Sequence, residues 1–229
     1  SSTLNLQNVL TKIYMLSYTS SINLLWFCNL ITKIKKYSQF LFRNFFYIIF
    51  RLFYGKVNLP EKTDEKILDK SKIITMEENR KYKIFQFEES SLYTDRIYNA
   101  AIIKKNLFIE EGSFQIDFDN KRFSKRKNIV LEIGTPRIRK KIKGNILSLL
   151  TGGGGNKNYF HWMFDVLPRI GLYTKAFNLK DLNFLLVPDN SKNFQRETLE
   201  LLNFDQKKIL SSVSYRHIFS ENLFVTQHP

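Results

Sequence analysis

Residues 145–173, NILSLLTGGGGNKNYFHWMFDVLPRIGLY, run from a strand-like segment through four glycines into an apolar, aromatic stretch that carries His161, Asp165 and Arg169. Residues 145–150 read as a strand and 158–177 as a helix. Downstream, NFLLVP (183–188) reads as a buried strand, NFQRETLELLNF (193–204) as a helix, and KKILSS (207–212) and ENLFVTQ (221–227) as two further strands. Strand and helix alternating through short connections predict βαβ units on a parallel sheet, half of a Rossmann-like domain.

Upstream of this block the pattern differs. Between Ser71 and Thr151 lie short segments rich in β-branched and aromatic residues: KIIT, KIFQFE, IYNAAII, LFIEEG, FQIDFD, IVLEIG and RIRKKIK. Several alternate at period two, which predicts half-exposed antiparallel strands. The polar, proline-containing stretch KVNLPEKTDEKILDKS (56–71) reads as a linker, so the predicted division is a helical region over 1–60 and an α/β domain over 71–229.

Charge is distributed unevenly. The chain of 229 residues carries 36 Lys or Arg against 21 Asp or Glu, a formal net charge of +15. Residues 1–60 contain seven cations and no acid, and residues 121–144 contain ten cations against Glu132 alone. Segment 22–55 is aromatic and aliphatic, but Lys33, Lys35, Lys36, Arg43 and Arg51 interrupt every apolar run before it reaches spanning length. Two readings are open for it. One is a helix lying in the interface of an anionic membrane, and the other is a helix packed on the rest of the protein with its cations in water. In RIRKKIK no aromatic residues interleave the cations, so it reads as a solvated face and no nucleic-acid partner is expected. A single cysteine, Cys28, excludes an internal disulfide and any cysteine-rich zinc site, and a cytoplasmic setting is the default.

Within the helix, Asn158, His161, Asp165 and Arg169 are spaced three, four and four apart and share one stripe. Phe160, Trp162, Phe164, Val166, Leu167 and Ile170 occupy the other faces, which predicts a buried helix whose polar stripe faces a cleft or finds internal partners. Pro168 predicts a kink or an early end close to the charged residues. His161 and Asp165 at i, i+4 can hydrogen-bond, the arrangement in which a carboxylate orients an imidazole for proton abstraction; a structural ion pair meets the same spacing. Gly152–Gly155 sit where a strand hands over to a helix N-terminus, a place for a phosphate or an oxygen-rich sugar, or simply a flexible loop. They match neither a P-loop nor G-x-G-x-x-G. His217 and His228 lie on separate segments, so no metal site is expected.

Taken in order, NYFHWMFDVLPRIGLY, LLVPDN, FQRETLELLNFDQKKIL and YRHIFSENLFVTQHP, with the upstream IYNAAII and GNILSLLTGGG, resemble the N-terminal half of glycosyltransferase family 61, including its bacterial capsular polysaccharide biosynthesis branch. The similarity covers about residues 95–229. It implies a GT-B architecture and an inverting transfer of a hexosyl, pentosyl or N-acetylhexosaminyl group from a nucleotide sugar to a saccharide acceptor. No resident cofactor or metal is implied. His161 and Asp165 would then be catalytic, with Asp165, or His161 oriented by it, as the general base. Gly153, Gly154, Asn158, Tyr159, Trp162 and Arg169 would bind substrate, Arg169 tying the helix to its neighbours or neutralising phosphate.

The family's C-terminal donor domain does not follow within these residues, and the strand-like NLFVTQ closes the chain without a further element. The chain therefore reads as the acceptor-side portion of a longer enzyme, with little activity by itself. In that setting the basic helix would tether it to the inner face of the cytoplasmic membrane, where lipid-linked saccharide acceptors reside. The competing expectation is a non-catalytic membrane-surface or saccharide-binding module derived from such an enzyme.

Overall fold

The computed structural model of the chain describes residues 6–59, 72–75, 81–94, 99–113, 128–132, 137–150 and 157–227. Two compact units divide it, Ser1–Ile49 and Phe50–Pro229. The first is occupied by α1 (Leu6–Tyr54), which runs a short way into the second.

The second unit is a mixed α/β structure whose described residues form one mixed sheet of eight strands. In chain order these are β1 (Lys72–Thr75), β2 (Lys81–Thr94), β3 (Ala100–Lys104), β4 (Leu107–Ile109), β5 (Lys140–Ser148), β6 (Phe184–Val187), β7 (Ile209–Ser211) and β8 (His217–Thr226). Their spatial order is β4-β3-β2-β8-β5-β6-β7, with β1 paired to β2 off this path. β1 to β4 pair antiparallel, and β2 also pairs antiparallel with β8. Between β8 and β7 every pairing is parallel. The chain leaves β5 towards β6 and β7 on one side, then returns in β8 on the other side of β5.

The helices lie where parallel strands need crossovers. A single turn, α2 (Ile129–Glu132), precedes β5. Between β5 and β6 come α3 (Tyr159–His161), a π-helical turn (Trp162–Val166) and α4 (Pro168–Thr174); α5 (Asn193–Leu201) joins β6 to β7. Residues alternate between the two faces of the parallel strands. Leu147, Leu149, Leu185, Val187 and Phe224 pack with Trp162, Val166, Ile170, Tyr173 and Leu199 from the helices. Ile146, Leu150, Leu186, Leu223 and Val225 point the other way and join Phe85, Phe87, Leu92 and Ile102 from the antiparallel half. Each such side chain contributes about 1.5–3 kcal/mol on burial, so this double-faced core fixes the register of the parallel half.

Three local readings are corrected. IVLEIG, expected as a strand, holds the helical turn α2 instead. The side-chain oxygen of Asn128 accepts from the Val130 amide (3.0 Å) and its carbonyl from that of Leu131 (3.0 Å), a local turn that competes successfully with β-branched propensity. Lys140–Lys143 of RIRKKIK and Asn145–Ser148 of NILSLL, read as separate segments, join in the single strand β5 with a register shift between Ile142 and Asn145. Gly144 takes the positive φ of 86° there, and a Cβ on it would collide with the Asn183 side chain, so the bulge needs glycine. The helix expected over 158–177 is broken into the three pieces named above. FQIDFD falls outside the described residues.

Candidate functional site

The segment 159–174 rises from the C-terminal end of β5, next to the end of β8, where ligands bind in open α/β sheets. Asn158 starts it as an N-cap: its backbone is extended and its side-chain oxygen accepts from the Phe160 amide at 2.9 Å. After one α turn the ladder widens, with the Leu167 amide donating to the Trp162 carbonyl at 3.0 Å, five residues back. Pro168, which has no amide proton, then opens α4 as its first residue. A π-turn inside a helix is uncommon and recurs at functional sites.

That turn holds His161 and Asp165 together. His161 Nδ1 and Asp165 Oδ2 are 2.6 Å apart, with the side chains 41% and 21% exposed. Solvent therefore reaches both groups, and the imidazole is oriented by the carboxylate rather than by the core. With Asp165 ionised, Nδ1–H donates to it and the Nε2 lone pair is left to accept a proton.

Arg169, one turn further on, does not continue an exposed stripe. It is enclosed at 1% exposure, Nε donates to the Asp165 carbonyl (2.9 Å), and Nη1 donates to the carbonyl (3.0 Å) and hydroxyl (3.3 Å) of Thr226 at the end of β8. Burial lowers its pKa to about 10, against the attraction of Asp165, so it stays charged at neutral pH. Arg169 ties the helix to the sheet. Trp162, expected beside substrate, is likewise fully buried, and its indole N–H donates to Thr198 Oγ1 on α5 at 2.8 Å. It fixes the spacing between the two crossover helices.

The aromatic residues around the pair are arranged opposite to expectation. Phe160 and Phe164, placed by sequence on a buried face, are exposed at 60% and 61%, and their rings lie 4.7 Å apart. The Phe160 ring also meets the His161 ring edge-on at 5.8 Å. Tyr159, exposed at 58%, rests edge-on against Phe194 of α5. His161 and Asp165 are thus flanked by an apolar, solvent-facing ledge. Gly153 and Gly154 fall outside the described residues.

A polar loop at the end of β6 was not singled out from sequence. The Asp189 carboxylate, buried, accepts from the amides of Asn190 (2.8 Å) and Ser191 (3.2 Å) and from the Ser191 hydroxyl (2.7 Å). Arg196 on α5 donates to the carbonyls of Asn190 and Ser191, closing the loop on the helix. The Pro-Asp-Asn-Ser turn chemistry was the available signal. Among the described residues no three His, Cys, Asp or Glu side chains gather as a metal would require. Comparison with protein-family models, with curated proteins and with solved structures returns no match.

Proposed function

We propose that the chain is the acceptor-side portion of an inverting, nucleotide-sugar-dependent glycosyltransferase of the family 61 type, with His161 as general base and Asp165 as the group that orients it. The observation that carries this reading is the 2.6 Å contact between His161 Nδ1 and Asp165 Oδ2, partly exposed where α3 passes into the π-turn beyond the C-terminal end of β5. A base needs an oriented lone pair open to substrate, and this pair meets that requirement. The strand order β7-β6-β5-β8, with helical crossovers after β5 and β6, is the order of a Rossmann-like half and supports the GT-B assignment.

In the proposed reaction Nε2 takes the proton of an acceptor hydroxyl as its oxygen attacks the anomeric carbon of the donor from the face opposite the leaving group. The new C–O bond forms as the bond to the phosphate oxygen breaks. The nucleoside diphosphate leaves with that electron pair, and the anomeric configuration inverts. The hydrophobic faces of pyranose rings suit the exposed rings of Phe160 and Phe164, which would seat the acceptor beside the base.

The same ledge also favours a second reading, a saccharide-binding module without turnover. Natural full-length protein incubated with a panel of nucleotide sugars and oligosaccharide acceptors separates the two by mass spectrometry of products. The transferase reading predicts acceptor extended by one sugar, slowed about 10²–10⁴-fold by His161→Ala. Acceptor binding with no product from any donor would leave the binding module, and product formed equally fast by His161→Ala would remove the assigned base.

A further inference from the structure

We infer that α1 is a docking element for an anionic lipid surface, lying in the plane of the interface. The described residues of the first unit form a single helix, which offers its apolar side chains no core of their own to enter. At 3.6 residues per turn, Phe27, Ile31, Ile34, Leu41, Phe45 and Ile48 fall within an arc of about 100°. All six are between 49% and 62% exposed. A continuous apolar stripe of this length is far larger than water tolerates on a free surface. Ser38, the polar residue within the arc, is no obstacle to burial in lipid, since its hydroxyl donates to the Ile34 carbonyl of the same helix at 2.7 Å.

Charge selects the occupant. Lys33 lies at one margin of the arc and Lys35 at the other, while Lys36 and Arg43 lie opposite it, and residues 1–60 carry no acid at all. Long cationic side chains at both margins reach up to headgroups while the stripe sinks into the acyl boundary. A second copy of the same helix would set cations against cations, whereas an anionic leaflet attracts each of them. Insertion across the bilayer is not the alternative: no described helix is long and apolar enough to cross a membrane. Trp26, 65% exposed, sits at the edge of the arc, where an indole meets the headgroup region.

The test uses the natural full-length protein with phosphatidylcholine vesicles and with mixed phosphatidylcholine and phosphatidylserine vesicles, read by co-sedimentation and by tryptophan emission. Residues 1–229 hold two tryptophans, of which Trp162 is buried and hydrogen-bonded, so a shift that is present in the wild type and lost in Trp26→Phe reports Trp26. The proposal predicts sedimentation and a blue shift with the mixed vesicles, both weakened by salt, and no shift in Trp26→Phe. Replacing Lys33, Lys35 and Lys36 together by Gln lowers the partition coefficient on the order of 100-fold, since each cation near the surface contributes about five-fold. Circular dichroism of that variant confirms that the helix is retained. No vesicle binding, salt-insensitive binding equal on neutral vesicles, or undiminished binding by the Gln variant would each overturn the proposal, as would self-association through α1 in place of vesicle binding.

Discussion

His161 with Asp165, and Arg169 with Thr226 of β8, are polar pairs built on one helical segment, yet their surroundings are opposite. The first pair is partly in solvent, bordered by exposed phenylalanines; the second is enclosed, with Nε and Nη1 of Arg169 donating to oxygens of Asp165 and Thr226. A polar group in a buried-looking helix can thus be there for two separate reasons. Arg169 holds the π-turn against the end of β8, and the turn presents His161 and Asp165 outward.

If that division of labour is right, stability and activity respond to different substitutions. Arg169→Ala should cost most, about 3–5 kcal/mol in urea denaturation, because it strips charged hydrogen bonds from the Asp165 and Thr226 carbonyls in a closed site. A loss below about 1 kcal/mol would break the comparison, since an arginine that matters so little to folding is free for another role.

His217 and His161 sharpen it through pH. His217 stacks on Tyr93 (4.3 Å between rings), and its Nδ1–H donates to the Arg137 carbonyl. Burial, helped by the charges of Arg137 and Arg216 and opposed by that carbonyl, pushes its pKa from 6.5 down to about 4. The folded state therefore holds its proton less tightly than the unfolded chain. This contribution to stability is complete above pH 6.5 and is lost as pH falls towards 4, by at most about 1.4 kcal/mol per pH unit. His217→Phe should flatten that part of the acid denaturation curve, and His161→Phe should leave this step in place.

Smaller effects follow on the brace. Trp162→Phe keeps one aromatic ring but removes the rest of the fully buried indole and its bond to Thr198, and should cost about 1–3 kcal/mol in the same titration. Asn158→Ala removes the cap on the Phe160 amide and should cost about 0.5–1 kcal/mol, with the helical signal fraying at the site end.

The parallel half of the sheet was legible in the sequence because strand and helix signals alternate there at short spacing, from NILSLL to ENLFVTQ. The pairing of His161 with Asp165 was legible from their i, i+4 spacing, and the interruption near Pro168 from its missing amide. What was not legible depends on tertiary context. Periodicity assigns Phe160 and Phe164 to a core as readily as Trp162, and which of these faces outward is set by how the π-turn rotates the segment over Leu147, Leu149 and Val187. The burial of Arg169 depends on Thr226, 57 residues away in sequence, which no local pattern announces. At Asn128 a single side chain turned a β-branched run into a helical turn, the kind of local competition that propensity averages conceal.

The central claim, that the exposed pair acts on substrate while the buried arginine only holds it in place, is tested most directly by Asp165→Asn in the natural full-length protein, measured for transferase turnover and for urea stability side by side. Asn keeps the size of the side chain and removes the charge that orients the imidazole. Turnover should fall by about 10²–10⁴-fold, with stability changed by no more than about 0.5 kcal/mol because the pair is solvent-accessible. Wild-type turnover in that variant, or a stability loss as large as that of Arg169→Ala, would contradict it.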